Sequence, residues 1–288
     1  MANLSHDQCR ISGWMAATHI IALVLTGMVQ GLAGGALGVG GGWVMTPVQY
    51  WVYGDMGLAS DVAIRMAFAT GLFVMLPTMA ASAWGHHRKR SVWWKPALIF
   101  GGCGLVGAFG GSTVASHVPP RPLEVVFGVT VLLIGMRIFT ADVSRNSFVP
   151  RGRVWTWVLW ALPIGFMAGL IGIGGGVFMV PLMALMFGFP MHLAVGTSVA
   201  AVSIMSIGGI AGYAISGVGV PEIPSPSIGY VYIWAWLCLV AGSIIMTQVG
   251  VRIAHRVPAK QLGWVFGALA LYIGLRMLGL FEWLGWPI

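Results

Sequence analysis

Two glycine triplets, each followed five residues later by proline, are the groups best suited to hold an ion: Gly40–Gly42 before Pro47, and Gly174–Gly176 before Pro181. The N–H groups at a helix start have no partner within the helix, and the helix dipole adds positive potential there. Glycine lets a ligand reach that main chain, so a triplet opening a short helix can cradle an anion. Close helix crossing is the other use of such residues. Thr70, Thr197 and Ser198 stand near the start of apolar segments, and their hydroxyls can donate to an oxyanion or bond back to a carbonyl one turn earlier. Thr46 and Gln49 have the same standing. Arg65 aligns with His192; such a pair can steer anions into a vestibule or snorkel to the interface. Cys103 and Cys238 also align, at an offset of 135, as a thiol relay or gate or as small packing residues. His86 and His87 sit in a basic loop with no further ligands nearby in sequence, so no metal site is expected.

The surroundings of these groups are apolar. Of 288 residues, 58% are hydrophobic and 8% charged, against roughly 25% charged in soluble domains. Residues 11–54 and 154–221 contain no Asp, Glu, Lys or Arg. Single helices of those lengths would measure roughly 66 and 100 Å, whereas the hydrocarbon core is about 30 Å thick. Each stretch must therefore turn back at least once. The first apolar run lacks a basic leader and a small-residue cleavage site and is expected to be retained. Three cysteines, two of them in apolar segments, do not make a disulfide framework. The net charge of +8 gathers in short loops, where positive-inside topology accounts for it; no nucleic acid partner and no cofactor are expected. Neither His-Glu-x-x-His nor Gly-x-Ser-x-Gly occurs, so the chain is not read as an enzyme.

The chain is self-similar. From Gly31 to Pro47 and from Gly165 to Pro181, at an offset of 134, the glycines Gly31, Gly35, Gly38 and Gly40–Gly42, with Met45 and Pro47, each meet an identical residue. Ala67-Phe-Ala-Thr70 matches Ala194-Val-Gly-Thr197, and Ile134-Gly-Met-Arg137 matches Ile273-Gly-Leu-Arg276. The expected organisation is a tail 1–13, copy one 14–140, a polar linker 141–153, copy two 154–281 and a tail 282–288. Apolar segments in copy one fall at 14–36, 42–54, 62–84, 96–116 and 122–140; in copy two they fall at 154–170, 176–188, 192–216, 228–251 and 261–280. The run after each triplet, about 13 residues, is too short to span as a lone helix. It reads as a half-helix in a broken or re-entrant element, tolerated where protein or a water-filled cavity surrounds it.

Charge placement predicts that the copies face opposite ways. Arg88, Lys89, Arg90 and Lys95 stand between the third and fourth segments of copy one, while the counterpart around Glu222 has no basic residue. The next loop reverses this, with Arg121 alone in copy one against Arg252, Arg256 and Lys260 in copy two. If basic loops are cytoplasmic, each copy makes an odd number of crossings. The expected fold is an all-α polytopic membrane protein of two inverted-topology repeats. Each repeat has three full spans plus a broken or re-entrant Gly-rich element, 8 to 10 membrane segments in all.

With Gly-x-Gly-Gly-Gly-x-x-x-x-Pro at Gly38–Pro47 and at Gly172–Pro181, each followed by an Ala-x-(Ala/Gly)-Thr span, nearly the whole chain resembles the sulfite exporter TauE/SafE family. The resemblance implies a multi-pass bacterial inner-membrane transporter of sulfite or organosulfonates, with a small anion and the lipid bilayer as its partners and a homodimer left open. It implies a site at Gly40–Trp43 and Gly174–Val177, with Thr70, Thr197 and Ser198. Trp43 and Thr46 stand where copy two has Val177 and Val180, so the half-sites are unequal. Alternating access around a midplane site is the expected mechanism. A passive anion channel on the same scaffold is the alternative, because 11–54 and 154–221 hold no carboxylate to couple protons. The inverted arrangement puts both termini on the periplasmic face. Cysteine labelling at each terminus in intact cells checks this, and a cytoplasmic amino terminus rejects it.

Overall fold

In lipid every backbone polar group must find its partner within the protein, and helices do this segment by segment. A computed structural model describes residues 17–140 and 154–256, with short pieces between 268 and 279. The helices are α1 Ala17–Leu37, α2 Gly42–Asp55, α3 Ser60–Arg88, α4 Trp94–Ala115 and α5 Pro120–Thr140, then α6 Val154–Ile171, α7 Gly176–Leu185, α8 Met191–Ser216 and α9 Ile233–Ala254. Among the described residues six helices, α1, α3, α4, α6, α8 and α9, are long and apolar enough to cross a membrane. The two that follow the glycine triplets are not. At 14 residues for α2 and 10 for α7, they measure about 21 and 15 Å, short of the roughly 30 Å core. The described residues are thus those of a helical polytopic membrane protein, with one small hairpin among them.

That hairpin, β1 Ser227–Ile228 with β2 Val231–Tyr232, pairs antiparallel and turns through Gly229 at φ +55°. It occupies the place where a span was expected from residue 228, so α9 begins at Ile233. At α3 the error runs the other way. Nothing breaks the helix before Lys89, and Arg90 takes the left-handed turn at φ +56°. His86 and His87 therefore belong to the last turn of α3 and not to a loop. The tails 1–13 and 282–288, the linker 141–153 and most of 261–280 lie outside the described residues.

Helix packing exchanges partners between the copies. α1 packs on α9 and α4 on α6, while α3 and α8 pack on each other. These last two are the centre, with 78% of each span's core buried against 33% to 56% in the other four. Lipid gives apolar helices little reason to associate, so close main-chain approach has to supply the attraction. Gly27, Gly31 and Gly35 on α1 lie so near α9 that an added Cβ would overlap the carbonyls of Leu239, Ser243 and Thr247. Gly107 and Gly111 on α4 meet the Leu162 and Phe166 carbonyls of α6 in the same way. Hydroxyls then bridge the helices: Thr247 Oγ1 donates to Gly31 O at 3.0 Å, and Thr78 and Ser243 pair at 2.8 Å.

Gly111→Leu is expected to cost about 1–3 kcal/mol by forcing α4 from α6. Gly102 is exposed on the same helix with nothing within 4 Å of an added Cβ, so Gly102→Leu should leave stability unchanged. Thermal unfolding of both variants in detergent checks the contrast.

Candidate functional site

After α1 the chain passes through a turn in which Gly38, Gly40 and Gly41 have φ of +72°, +80° and +78°; after α6, Gly172, Gly174 and Gly175 have +64°, +88° and +73°. Side chains with a Cβ rarely adopt this conformation, which is why both copies spell the turn in glycine. Gly42 and Gly176 then open α2 and α7, each a half-helix with its N-terminus inside the protein. The turns meet. A Cβ on Gly42 would lie 2.7 Å from the Gly172 carbonyl oxygen and 2.7 Å from Ile173 Cα, and one on Gly40 2.8 Å from the Ile173 oxygen. Gly176 in turn abuts the Gly38 carbonyl. Phe68 packs on Gly172 and the aligned Val195 packs on Gly38. All six triplet glycines are buried, and at these contacts no space separates the turns.

The aligned threonines do something the sequence did not suggest. Thr70 Oγ1 accepts the N–H of Tyr232 at 3.0 Å, and Thr197 Oγ1 accepts the N–H of Trp93 at 3.0 Å. Tyr232 and Trp93 are the residues that cap the starts of α9 and α4. Each threonine thus holds the beginning of a helix from the other side of the bundle. Ser198 donates to Val195 O at 2.9 Å and to Gly38 O at 3.2 Å, which places it directly on the first glycine turn.

Apart from Ser198, the polar groups around that turn come from copy one. Gln30 on α1, fully buried, donates through Nε2 to Gly40 O at 2.9 Å, while its Oε1 has no partner. Thr46, also fully buried, has an unpartnered hydroxyl. Tyr53 donates to Gln49 Oε1 at 3.1 Å and approaches Thr70 at 3.4 Å. Where copy one carries Gln30, Thr46, Gln49 and Tyr53, the aligned positions of copy two carry Ile164, Val180, Met183 and Phe187. Trp43 and Val177 are both buried beside their helix starts. Gln30 was missed in the sequence, although a glutamine in an otherwise apolar span is itself a signal.

Arg65 and His192 are held at opposite ends of α9. Arg65 donates to Tyr230 Oη at 3.3 Å and to Val118 O at 3.2 Å, close to Asp61, near where α9 starts. His192 stacks on His255, which follows the end of α9, with ring centroids 5.4 Å apart. His255 also lies 5.5 Å from His86, and His86 Nε2 contacts Gly35 O at 3.0 Å. Burial, then Lys89 and His192, hold the His255 pKa below the ordinary imidazole value. Cys103 and Cys238 are free thiols packed against separate apolar clusters. No group of three or more metal-ligating side chains occurs among the described residues.

Among the described residues, six helices long and apolar enough to span and two half-helices with buried N-termini define a polytopic membrane protein. The family described as Sulfite exporter TauE/SafE matches residues 23–277, and the chain belongs to that family. It is 28% identical over 259 residues to a "Probable membrane transporter protein" of Methanocaldococcus jannaschii, covering 89% of this chain and 94% of that one. To the YunE protein of Bacillus subtilis, of the same description, it is 27% identical, covering 90% and 97%. A Haemophilus influenzae relative, also so described, is 24% identical, covering 90% and 98%. No solved structure matches. The family and these relatives are transporters and not enzymes.

Thr70→Val and Thr197→Val should each cost about 1–3 kcal/mol, the penalty for leaving a buried N–H without an acceptor. Thr→Ser at either place should restore most of it. Unfolding of the purified protein in detergent measures both.

Proposed function

We propose that this protein moves a small sulfur oxyanion, sulfite or an organosulfonate, across the bacterial inner membrane by alternating access around the paired glycine turns. One observation carries the reading: two turns with the same left-handed pattern, from aligned parts of the chain, bring two half-helix starts into contact in the protein interior. Such starts favour anions, and transporters of this construction bind at the repeat interface. The substrate-binding groups in this reading are Gly40–Trp43, Thr46 and Thr70 from copy one, with Gly174–Val177, Thr197 and Ser198 from copy two. Thr70 and Thr197 act here by positioning, since their oxygens cap helices. The unpartnered Gln30 Oε1 and Thr46 hydroxyl suit the substrate's polar head, as a flipped amide donor and an O–H donor. Val177 and Val180 suit an organic remainder.

The copies, 14–140 and 154–281 about the linker 141–153, are read as oppositely oriented, each with three spans and a broken element, 8 to 10 segments in all. Supporting this, the aligned residues Arg65 and His192 lie toward opposite ends of α9, about 33 Å long from its 22 residues. The closed contact of Gly42 on Gly172 favours a carrier over a standing channel, because the turns must part before anything passes.

Sulfite flux into proteoliposomes tests the reading. Thr46→Val and Gln30→Leu should each lower it about tenfold or more, the effect of losing one hydrogen bond to a charged substrate. Unaltered flux in both removes the site. Trans-stimulation by sulfite on the far side is expected, and its absence would favour the channel.

A further inference from the structure

A cleft open to the surface lies away from the glycine turns, between the C-terminal ends of α3 and α9. Its volume is about 310 Å³, and it is lined by Gly85, Arg88, Lys89, Gln248, Val251 and Arg252. A water molecule takes roughly 30 Å³, so the cavity holds a polyatomic ion with several waters. Three of its six lining residues are cations, and they arrive from parts of the chain far apart in sequence; Lys89 Nζ donates to Val251 O at 3.4 Å across 162 residues. Among the described residues the ion pairs of Arg and Lys are Arg65 with Asp61 and Arg121 with Glu124. Arg88, Lys89 and Arg252 therefore have no carboxylate partner among the described residues.

The two helix ends do not neutralise this charge. A helix C-terminus carries about −0.5 of an elementary charge, so the pair offsets about one of three positive charges, leaving about +2. One further cation stands close by: Arg256 lies just past α9, and it and Arg252 both act on Lys89, whose pKa is lowered first by burial and then by these two guanidinium groups. Orientation relative to the membrane requires only that basic residues lie on one face. It does not require three of them to line one cleft. Guanidinium forks bind tetrahedral oxyanions in bidentate fashion, and the ammonium of Lys89 adds a point charge.

We propose that this cavity binds a tetrahedral oxyanion, either a free anion of the sulfate type or the phosphate of an anionic lipid. The site is separate from the paired turns and stands whether or not they carry sulfite.

The test uses the full-length protein in neutral detergent, with inorganic sulfate as the probe. Sulfate at millimolar concentration should raise the unfolding temperature by several degrees over chloride at equal ionic strength. The K89Q/R252Q variant should lose that rise, K89R should keep it, and T46V, altered at the turns, should keep it as well. In nanodiscs, phosphatidylglycerol should produce the same variant-dependent rise over phosphatidylcholine if the occupant is a lipid phosphate. A wild-type response to sulfate alone identifies a free anion, and a response to phosphatidylglycerol alone identifies the lipid. If neither probe stabilises the wild type, or if both act equally on wild type and K89Q/R252Q, the proposal is overturned. Should the double variant not fold, R252Q alone carries the comparison.

Discussion

Bare main chain resting on bare main chain is the contact on which this protein depends. Apolar helices gain nothing by leaving lipid for one another, so association rests on how closely their backbones approach. Glycine achieves this twice here, in different ways. Along α1 and α4 it removes side chains from a straight helix face, letting Gly31 reach the Ser243 carbonyl and Gly111 the Phe166 carbonyl. At the turns it also supplies the left-handed angles that end one helix and begin the next with no room for a Cβ. The first use builds the walls, and the second places two helix starts inside them.

Polar groups near the turns are few, and most are committed. Ser198 and Gln30 bond the carbonyls of Gly38 and Gly40, and Thr70 and Thr197 hold the starts of α9 and α4. Buried hydrogen-bonding groups are costly to leave unpaired. The Oε1 of Gln30 and the hydroxyl of Thr46 are buried without a partner among the described residues, and both belong to copy one. The chemistry of the site is lopsided although its backbone is nearly symmetric.

Much of this was legible from glycine and proline alone. The triplets are a local signal, and their doubling showed where α2 and α7 begin and that each is too short to cross the membrane as a lone helix. What remained hidden was long-range. No spacing rule connects Thr70 to the amide of Tyr232, 162 residues away, or Thr197 to Trp93. His86 looked like a loop residue because the charge run beside it suggested an early helix end; its bond to Gly35 O shows the helix carrying it inward. The hairpin at 227–232 escaped because two-residue strands leave almost no pattern to read.

The exchange of partners between copies has a consequence for how such a chain can be cut. α1 lies against α9, and α4 against α6, so each half of the gene keeps the neighbour that the other half's first helix needs. A cut between α5 and α6 would part both pairs. A single copy with this packing could complete it only against a second copy, each lending its fourth helix to the other.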